Sequence, residues 1–467
     1  MPKNLVVIVL DTLRHPDFFA GLEDGSDMPF FHGLERSGIG FSHLIASSCW
    51  TPPSHVSLLS GSDPWSTYFH IASGTTRVPS NPFLADLWRK NGGRSVGLSA
   101  NWLVAPEVGT ARGYDVFNPG LPTWMSSPVL RGLQVVGYEQ LMYARILRRA
   151  KSPELRAGGV VDGLLQRGGT AVHRAIRPVY AGAQVARALG RYLRAGPRTE
   201  PLHILVNLME MHEPYDPPAG RRAAGLDLTY LPSVNLARHT QALQHWGLSL
   251  DMMTPYREAA ARLDAALRAI FDRLRAGGVL DDAAVLVVSD HGQGLGEHDG
   301  FFGHAFFLHD ELVRVPAVYL EFHHGEATLP PVRVDSWVDL RHLFDLVRTR
   351  AVDGQDMPAA RVLEESVARR GSAAAFWEGP APHPPRGFLL SAPPSSYHRS
   401  VRVFSDEGSV SLGDDGAIGY VGSQRAPTDP LVQYAEAAVG HAANPAVERS
   451  GRRETEVDRR LRSWGYD

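Results

Sequence analysis

The sequence predicts an α/β protein, with a central, largely parallel sheet flanked by helices and a smaller C-terminal α+β subdomain. Two observations carry this. Four stretches, LVVIVL at 5–10, HILVNLM at 203–209, AVLVVSD at 284–290 and VPAVYLEF at 315–322, are nearly continuous apolar runs. Runs of that length without polar alternation read as strands buried on both faces. Helical stretches lie between them, including 81–90 and 255–275, and strands that alternate with helices build parallel sheets.

The chain has 467 residues, enough for one large domain or two ordinary ones. We expect a catalytic unit over 1–370 and a smaller subdomain over 371–467, where Pro, Gly and Ser are frequent and GFLLSA, SVRVFS and GAIGYVG read as short strands. The charged close ETEVDRRLRSWGYD reads as a helical end. A basic helical insertion is expected at about 125–198. Within it, residues 145–198 hold twelve Arg or Lys against Glu154 and Asp162, and GAQVARALGRYLRAG is amphipathic. This segment reads as a solvated helical insertion, a lid that attracts an anionic substrate, or a weak peripheral membrane contact.

Hydrophobic residues make up 43% and charged residues 21%, with a net charge of -3. That balance is globular and argues against nucleic acid as a partner. A single cysteine excludes an intramolecular disulfide and a cysteine-rich metal site. The opening MPKNLVVIVLD is too short an apolar run for a signal peptide, and no stretch reaches the 18 or so apolar residues of a spanning helix. The expectation is a cytoplasmic protein. Oligomeric state leaves no signal in the sequence.

Three of the four strands end in polar residues: Asp11, the Glu210/His212 pair, and Asp290 with His291. Ligands of open α/β sheets gather beyond the carboxyl ends of strands, so segments distant in sequence are expected to meet at one site. Asp11, Asp290 and His291 offer carboxylate and imidazole ligands for a divalent ion, Zn²⁺, Mn²⁺ or Ca²⁺. In CWTPPSHVSLLSG, at 49–61, Thr51 precedes a Pro-Pro-Ser-His turn and a helix predicted over VSLLSG. Its hydroxyl, or that of Ser54, is either a helix cap or, beside a metal ion, a nucleophile.

Together these blocks resemble the sulfatase-like branch of the alkaline phosphatase superfamily. The likeness runs through NLVVIVLDTLR, WTPPSHVSLLSG, NLMEMHEPYDPP, SDHGQGLGEHDGFFGH and LHDELVRVPAVYL to RLRSWGY. It implies an alkaline phosphatase/sulfatase-like fold and a metal-dependent ester hydrolase acting on a small anionic ester. In that family the nucleophile opens a C-x-P-S-R type motif. Pro53-Ser54-His55 matches its P-S-R part, which puts Thr51 at the nucleophile position and Cys49 two residues too early. The resemblance further implies Asp11, Thr51, Asp290 and His291 as metal ligands, and His55 in place of the arginine that steadies the nucleophile. His212 and His304 stand where the family contacts the substrate anion or the leaving oxygen. Thr12 occupies the position of a frequent second aspartate ligand. Glu210 and His298 are candidates to hydrogen-bond the ligands or the scaffold, and Arg314 to fix the loop before Val315. The implied reaction is hydrolysis of phosphate or phosphonate esters through Thr51. The alternatives are hydrolysis of a sulfate ester without formylglycine, and a catalytically weak binding protein.

Overall fold

The computed structural model describes residues 4–70, 75–101, 103–106, 108–119, 182–195, 199–212, 252–300, 302–305, 307–380, 397–413, 418–422 and 429–443. Most of the basic insertion, GFLLSA and the charged C-terminal close lie outside these residues.

The main sheet has nine strands: β1 (Asn4–Leu10), β2 (Ile39–Phe41), β3 (Arg94–Ser99), β4 (Val116–Phe117), β5 (Leu202–Leu208), β6 (Asp282–Val288), β7 (Ala317–His323), β8 (Glu326–Ala327) and β9 (Val332–Val334). Their spatial order is β9-β2-β7-β6-β1-β5-β3-β4, with β8 paired to β7. β1 lies at the centre, parallel to both β5 and β6. Every residue of β1 is buried. Leu5, Val7 and Val9 enter one apolar cluster and Val6, Ile8 and Leu10 the other, which is the two-residue side-chain period of a strand covered on both faces.

Helices supply the cover. They are α1 (Thr51–Ser60), α2 (Gly182–Arg194), α3 (Met253–Ala276), α4 (Leu340–Val347) and α5 (Ala359–Arg370). Tyr256, Ala260, Leu263, Leu267, Ile270 and Leu274 make the buried stripe of α3 at three- and four-residue spacing. In α2, the described part of the basic insertion, Val185, Leu189 and Leu193 pack into the core while Arg187, Arg191 and Arg194 are exposed. The arginines of this helix therefore form its solvated face.

One expectation needs correction: α1 does not start after the proline turn; it starts at Thr51, with Pro52 and Pro53 inside its first turn. Proline is tolerated there because the first N–H groups of a helix have no intrahelical acceptor. Trp50 is the cap residue and makes no side-chain cap bond, so neither Thr51 nor Ser54 is the cap. Within this largely parallel sheet the VPAVYLEF strand, β7, runs antiparallel to β6. An apolar run does not encode strand direction. The reversal brings the start of β7, and the 302–316 segment before it, to the sheet edge where β1, β5 and β6 end.

The C-terminal subdomain is an antiparallel sheet of β10 (Ala374–Pro380), β11 (Tyr397–Ser405), β12 (Gly408–Gly413) and β13 (Ile418–Gly422), with α6 (Pro430–Ala443) packed against it. One face forms its own cluster around Val401, Val403, Val410 and Val432. Trp377 and Phe404 instead join the main core. Among the described residues no helix is long and apolar enough to cross a membrane.

Candidate metal centre and active site

β1 ends at Leu10 and β6 at Val288, and each delivers acidic residues to the same edge. Asp11, Asp290 and His291 are fully buried, and one ligand atom from each lies within 4.8 Å of the others. His291 Nε2 is 3.9 Å from Asp11 Oδ1 and 3.6 Å from Asp290 Oδ2. Asp11 Oδ1 and Asp290 Oδ2 are buried without a hydrogen-bond partner. Two buried acceptors left unpaired are costly in a protein interior, and a cation among these three residues satisfies both. Burial and the neighbouring Asp11 carboxylate push the Asp290 carboxyl well above its usual range, the expected cost of crowding two carboxylates without a positive charge. The cluster is positioned to chelate a divalent ion.

His291 is prepared as a ligand. Its Nδ1 pairs with Gly292 O at 3.0 Å, and this bond leaves Nε2 with its lone pair toward the two carboxylates. Burial pushes its imidazole down to about 4, so the ring is neutral near pH 7. Gly292 is required by close approach: a Cβ there would sit 2.0 Å from Glu311 O.

Thr51 is buried beside the triad, with Oγ1 3.2 Å from His291 Nε2. As the first residue of α1 it lies at the positive end of the helix dipole. His55, one turn on, pairs through Nδ1 with Thr51 O at 3.1 Å and lies 3.4 Å from Asp290 Oδ2. Burial pushes its imidazole down to about 4. It is therefore a neutral group where the family's arginine is a cation. His304 and His212 lie beside the triad, their ring centroids 4.8 Å apart, with His304 4.6 Å from His291. Gln293 Oε1 holds His304 Nδ1 at 3.0 Å.

Asn101 is a site residue that sequence reasoning missed. Its Oδ1 accepts from Leu103 N at 2.9 Å, which fixes the amide orientation. Its Nδ2 donates to Asp11 Oδ2 at 2.8 Å and to Thr51 Oγ1 at 3.3 Å. Asn207 Nδ2 adds a longer contact of 3.4 Å to Asp11 Oδ2. The available signal was a polar residue just past the end of β3, the same logic that singled out Asp11 and Asp290.

Other sequence candidates have scaffold roles in the structure. Thr12 has a left-handed backbone (φ 63°), and its hydroxyl donates to Asp11 O at 2.7 Å instead of facing the cluster. Only its backbone N–H reaches Asp290, at 3.3 Å. The Glu210 carboxylate accepts from Gly182 N at the start of α2. His298 pairs with Glu311 at 2.8 Å and stacks on His309. Arg314 pairs with Asp17 and reaches Ser42 O, as expected of a residue that fixes its loop. Cys49 is fully buried, and burial drives its thiol far above the usual range, so it packs rather than reacts.

The family model described as Sulfatase matches residues 3–324. No curated protein sequence matches significantly. Among solved structures, a phosphonate monoester hydrolase from Silicibacter pomeroyi superposes with a TM-score of 0.58 at 16% identity, covering 94% of this chain and 95% of its own. The phosphonate monoester hydrolase of Agrobacterium radiobacter gives 0.52 at 16% identity, with 95% and 94% covered. A 2-O GAG sulfatase gives 0.54 at 15% identity, with 95% and 91% covered. At such identities the likeness establishes the fold, and the chemistry rests on the residues described above.

Proposed function

The chain belongs to the sulfatase family of the alkaline phosphatase superfamily, and from that premise we propose that it hydrolyses phosphate or phosphonate esters with Thr51 as the nucleophile. Its fold and buried triad are those of a metal-dependent ester hydrolase. The observation that carries the finer reading is the position of Thr51 Oγ1, 3.2 Å from His291 Nε2 and at the start of α1. Two of the structures it resembles are named as phosphonate monoester hydrolases, which agrees with this reading.

Asp11, Asp290 and His291 would hold a divalent ion, whose positive charge would lower the pKa of the Thr51 hydroxyl and polarise the ester. Asn101 donates to Thr51 Oγ1, a bond that strengthens as negative charge builds on that oxygen. Thr51 Oγ1 releases its proton to solvent and attacks phosphorus; the bond to the leaving alcohol oxygen breaks, and that oxygen takes up a proton from solvent through His304 or His212. Water then cleaves the threonyl ester and restores the hydroxyl. A threonine carries a methyl group on its β-carbon, so it cannot be oxidised to the formylglycine aldehyde of sulfatases. Direct hydrolysis is the route left to it, and phosphoryl esters permit that route.

The test is a panel of nitrophenyl phosphate, a bis-ester phosphate, a phosphonate ester and a sulfate. It is run on metal-stripped protein restored with Zn²⁺, Mn²⁺, Mg²⁺ or Ca²⁺, with Thr51→Ala beside the parent. We expect metal-dependent turnover of a phosphorus ester that Thr51→Ala loses. Turnover of sulfate alone overturns the substrate class. Phosphorus-ester turnover unchanged in Thr51→Ala overturns the nucleophile. Silence on every ester, with metal bound, favours a binding protein.

A further inference from the structure

We propose that the C-terminal sheet is a clamp on the active site, and that Arg402 of β11 is the positioning residue that fixes the loop carrying His304. The proposal rests on the reading of His304 as a substrate-contacting group.

Two loops lead to Thr51 and from His304, and the C-terminal sheet grips both. The first precedes Thr51. Phe376 N in β10 donates to Ser47 O at 2.9 Å, and Ser48 Oγ returns a bond to Phe376 O at 2.6 Å. Ser48 O and N both meet Ser54 Oγ, at 3.0 and 3.2 Å, so this grip reaches the first turn of α1. Trp50, the cap residue of α1, packs edge-on against Trp377 with centroids 6.0 Å apart.

The second loop follows His304. Arg402 is buried, 8% exposed. Its Nε donates to Ser409 Oγ within the C-terminal sheet at 2.9 Å. Its Nη1 donates to Leu308 O at 2.9 Å and pairs with the Asp310 carboxylate. One guanidinium thus ties β11 and β12 to a segment that begins next to His304. That segment needs an external tie, because Ala305 holds a left-handed backbone (φ 70°) that a residue with a Cβ adopts at a cost. The two loops are also bonded to each other, Ala305 N to Cys49 O at 2.9 Å. Thr51 and His304 are therefore both referenced to one antiparallel sheet that contributes no ligand to the metal triad. Placement errors near 1 Å in such groups cost on the order of 100-fold in rate.

The experiment is a double-mutant cycle on the full chain, metal-loaded, with Arg402→Met and His304→Ala singly and together. Asp310→Asn is a milder second variant that leaves β11 intact. Readouts are phosphorus-ester turnover, divalent-ion affinity by calorimetry, and hydrogen exchange of 302–313 against α3. We expect Arg402→Met to lose about 10- to 100-fold in kcat/KM, Asp310→Asn to lose less, and ion affinity to stay at the parental value. Exchange should quicken in 302–313 and not in α3. The double variant should be no worse than His304→Ala, because the loss runs through that histidine. Additive losses, or Arg402→Met with parental turnover and parental exchange, overturn the proposal. If His304→Ala itself keeps parental turnover, the catalytic reading of His304 fails. The clamp then stands or falls on exchange alone: faster exchange confined to 302–313 in Arg402→Met supports it, and unchanged exchange overturns it.

Discussion

A single amide nitrogen, Asn101 Nδ2, donates to both Asp11 Oδ2 and Thr51 Oγ1. It joins a metal-ligand residue to the hydroxyl proposed to attack. Removing it frees the carboxylate to rotate and withdraws a donor from the oxygen where charge accumulates. Asn101→Ala should lower turnover or metal affinity by about 10- to 100-fold. Steady-state kinetics together with calorimetric titration of the ion measure the two losses separately. Parental values for both would show that the contact is incidental.

Asp290 should control ion binding more than folding, since it lies just past β6 and not within it. In the parent, an ion at about 100 times its dissociation constant should add about 3 kcal/mol of stability. That appears as a rise in Tm which a chelator reverses. Asp290→Ala should bind no ion in the triad and show no rise, with a far-UV circular dichroism spectrum like the parent's. An unchanged metal content after dialysis would remove Asp290 from the ligand set.

The buried Cys49 thiol should resist alkylation in the native protein and react promptly once the chain is unfolded. Cys49→Ala keeps the backbone carbonyl that accepts from Ala305 N. It should therefore retain turnover to within about threefold, whereas Thr51→Ala should not. Mass spectrometry after iodoacetamide, with and without denaturant, measures the first point. Rapid native labelling would contradict the packing role.

Acid should destabilise the fold partly through His203. Its ring is buried against Tyr114 Oη and Leu5 O, and burial pushes it from 6.5 down to about 4. The unfolded chain takes up a proton near pH 6.5 and the folded chain only near pH 4. The contribution is therefore fully present above pH 6.5 and is lost as the pH falls from there toward 4. Its size is on the order of 3 kcal/mol. His203→Gln lacks the titrating group, so its denaturation midpoint should fall less between pH 7 and pH 5 than the parent's. Equal slopes would assign the acid sensitivity to other groups.

The parts of the fold legible in the sequence were those set by local composition. β1, β5 and β6 announce themselves by uninterrupted apolar runs, and the triad by polar residues placed where those runs stop. Thr51 was legible through the motif around it. Strand direction was not, because an apolar run reads the same in either direction: the register from Ala317 with Val288 to His323 with Asp282 shows β7 to be antiparallel. Asn101 was hidden for a related reason. An asparagine near a strand end is ordinary, and its partners, Asp11 and Thr51, come from segments distant in sequence that the sheet brings together. Asn207, within β5, escaped notice because it sits among apolar neighbours that mark only a strand.

The central place of β1 also sets the order in which the molecule can be assembled. Asn4 finds its neighbours at Leu202 and Ala283, so β1 is made long before either strand that flanks it. At ordinary translation speeds it waits tens of seconds with both edges open. Asp11 is made well before Asp290 and His291, and it meets them only after β6 has left the ribosome and paired. An ion offered earlier encounters a lone carboxylate. Metal capture is thus a late event in the life of the chain, and a nascent fragment ending before β6 should remain dependent on chaperones whatever the metal supply.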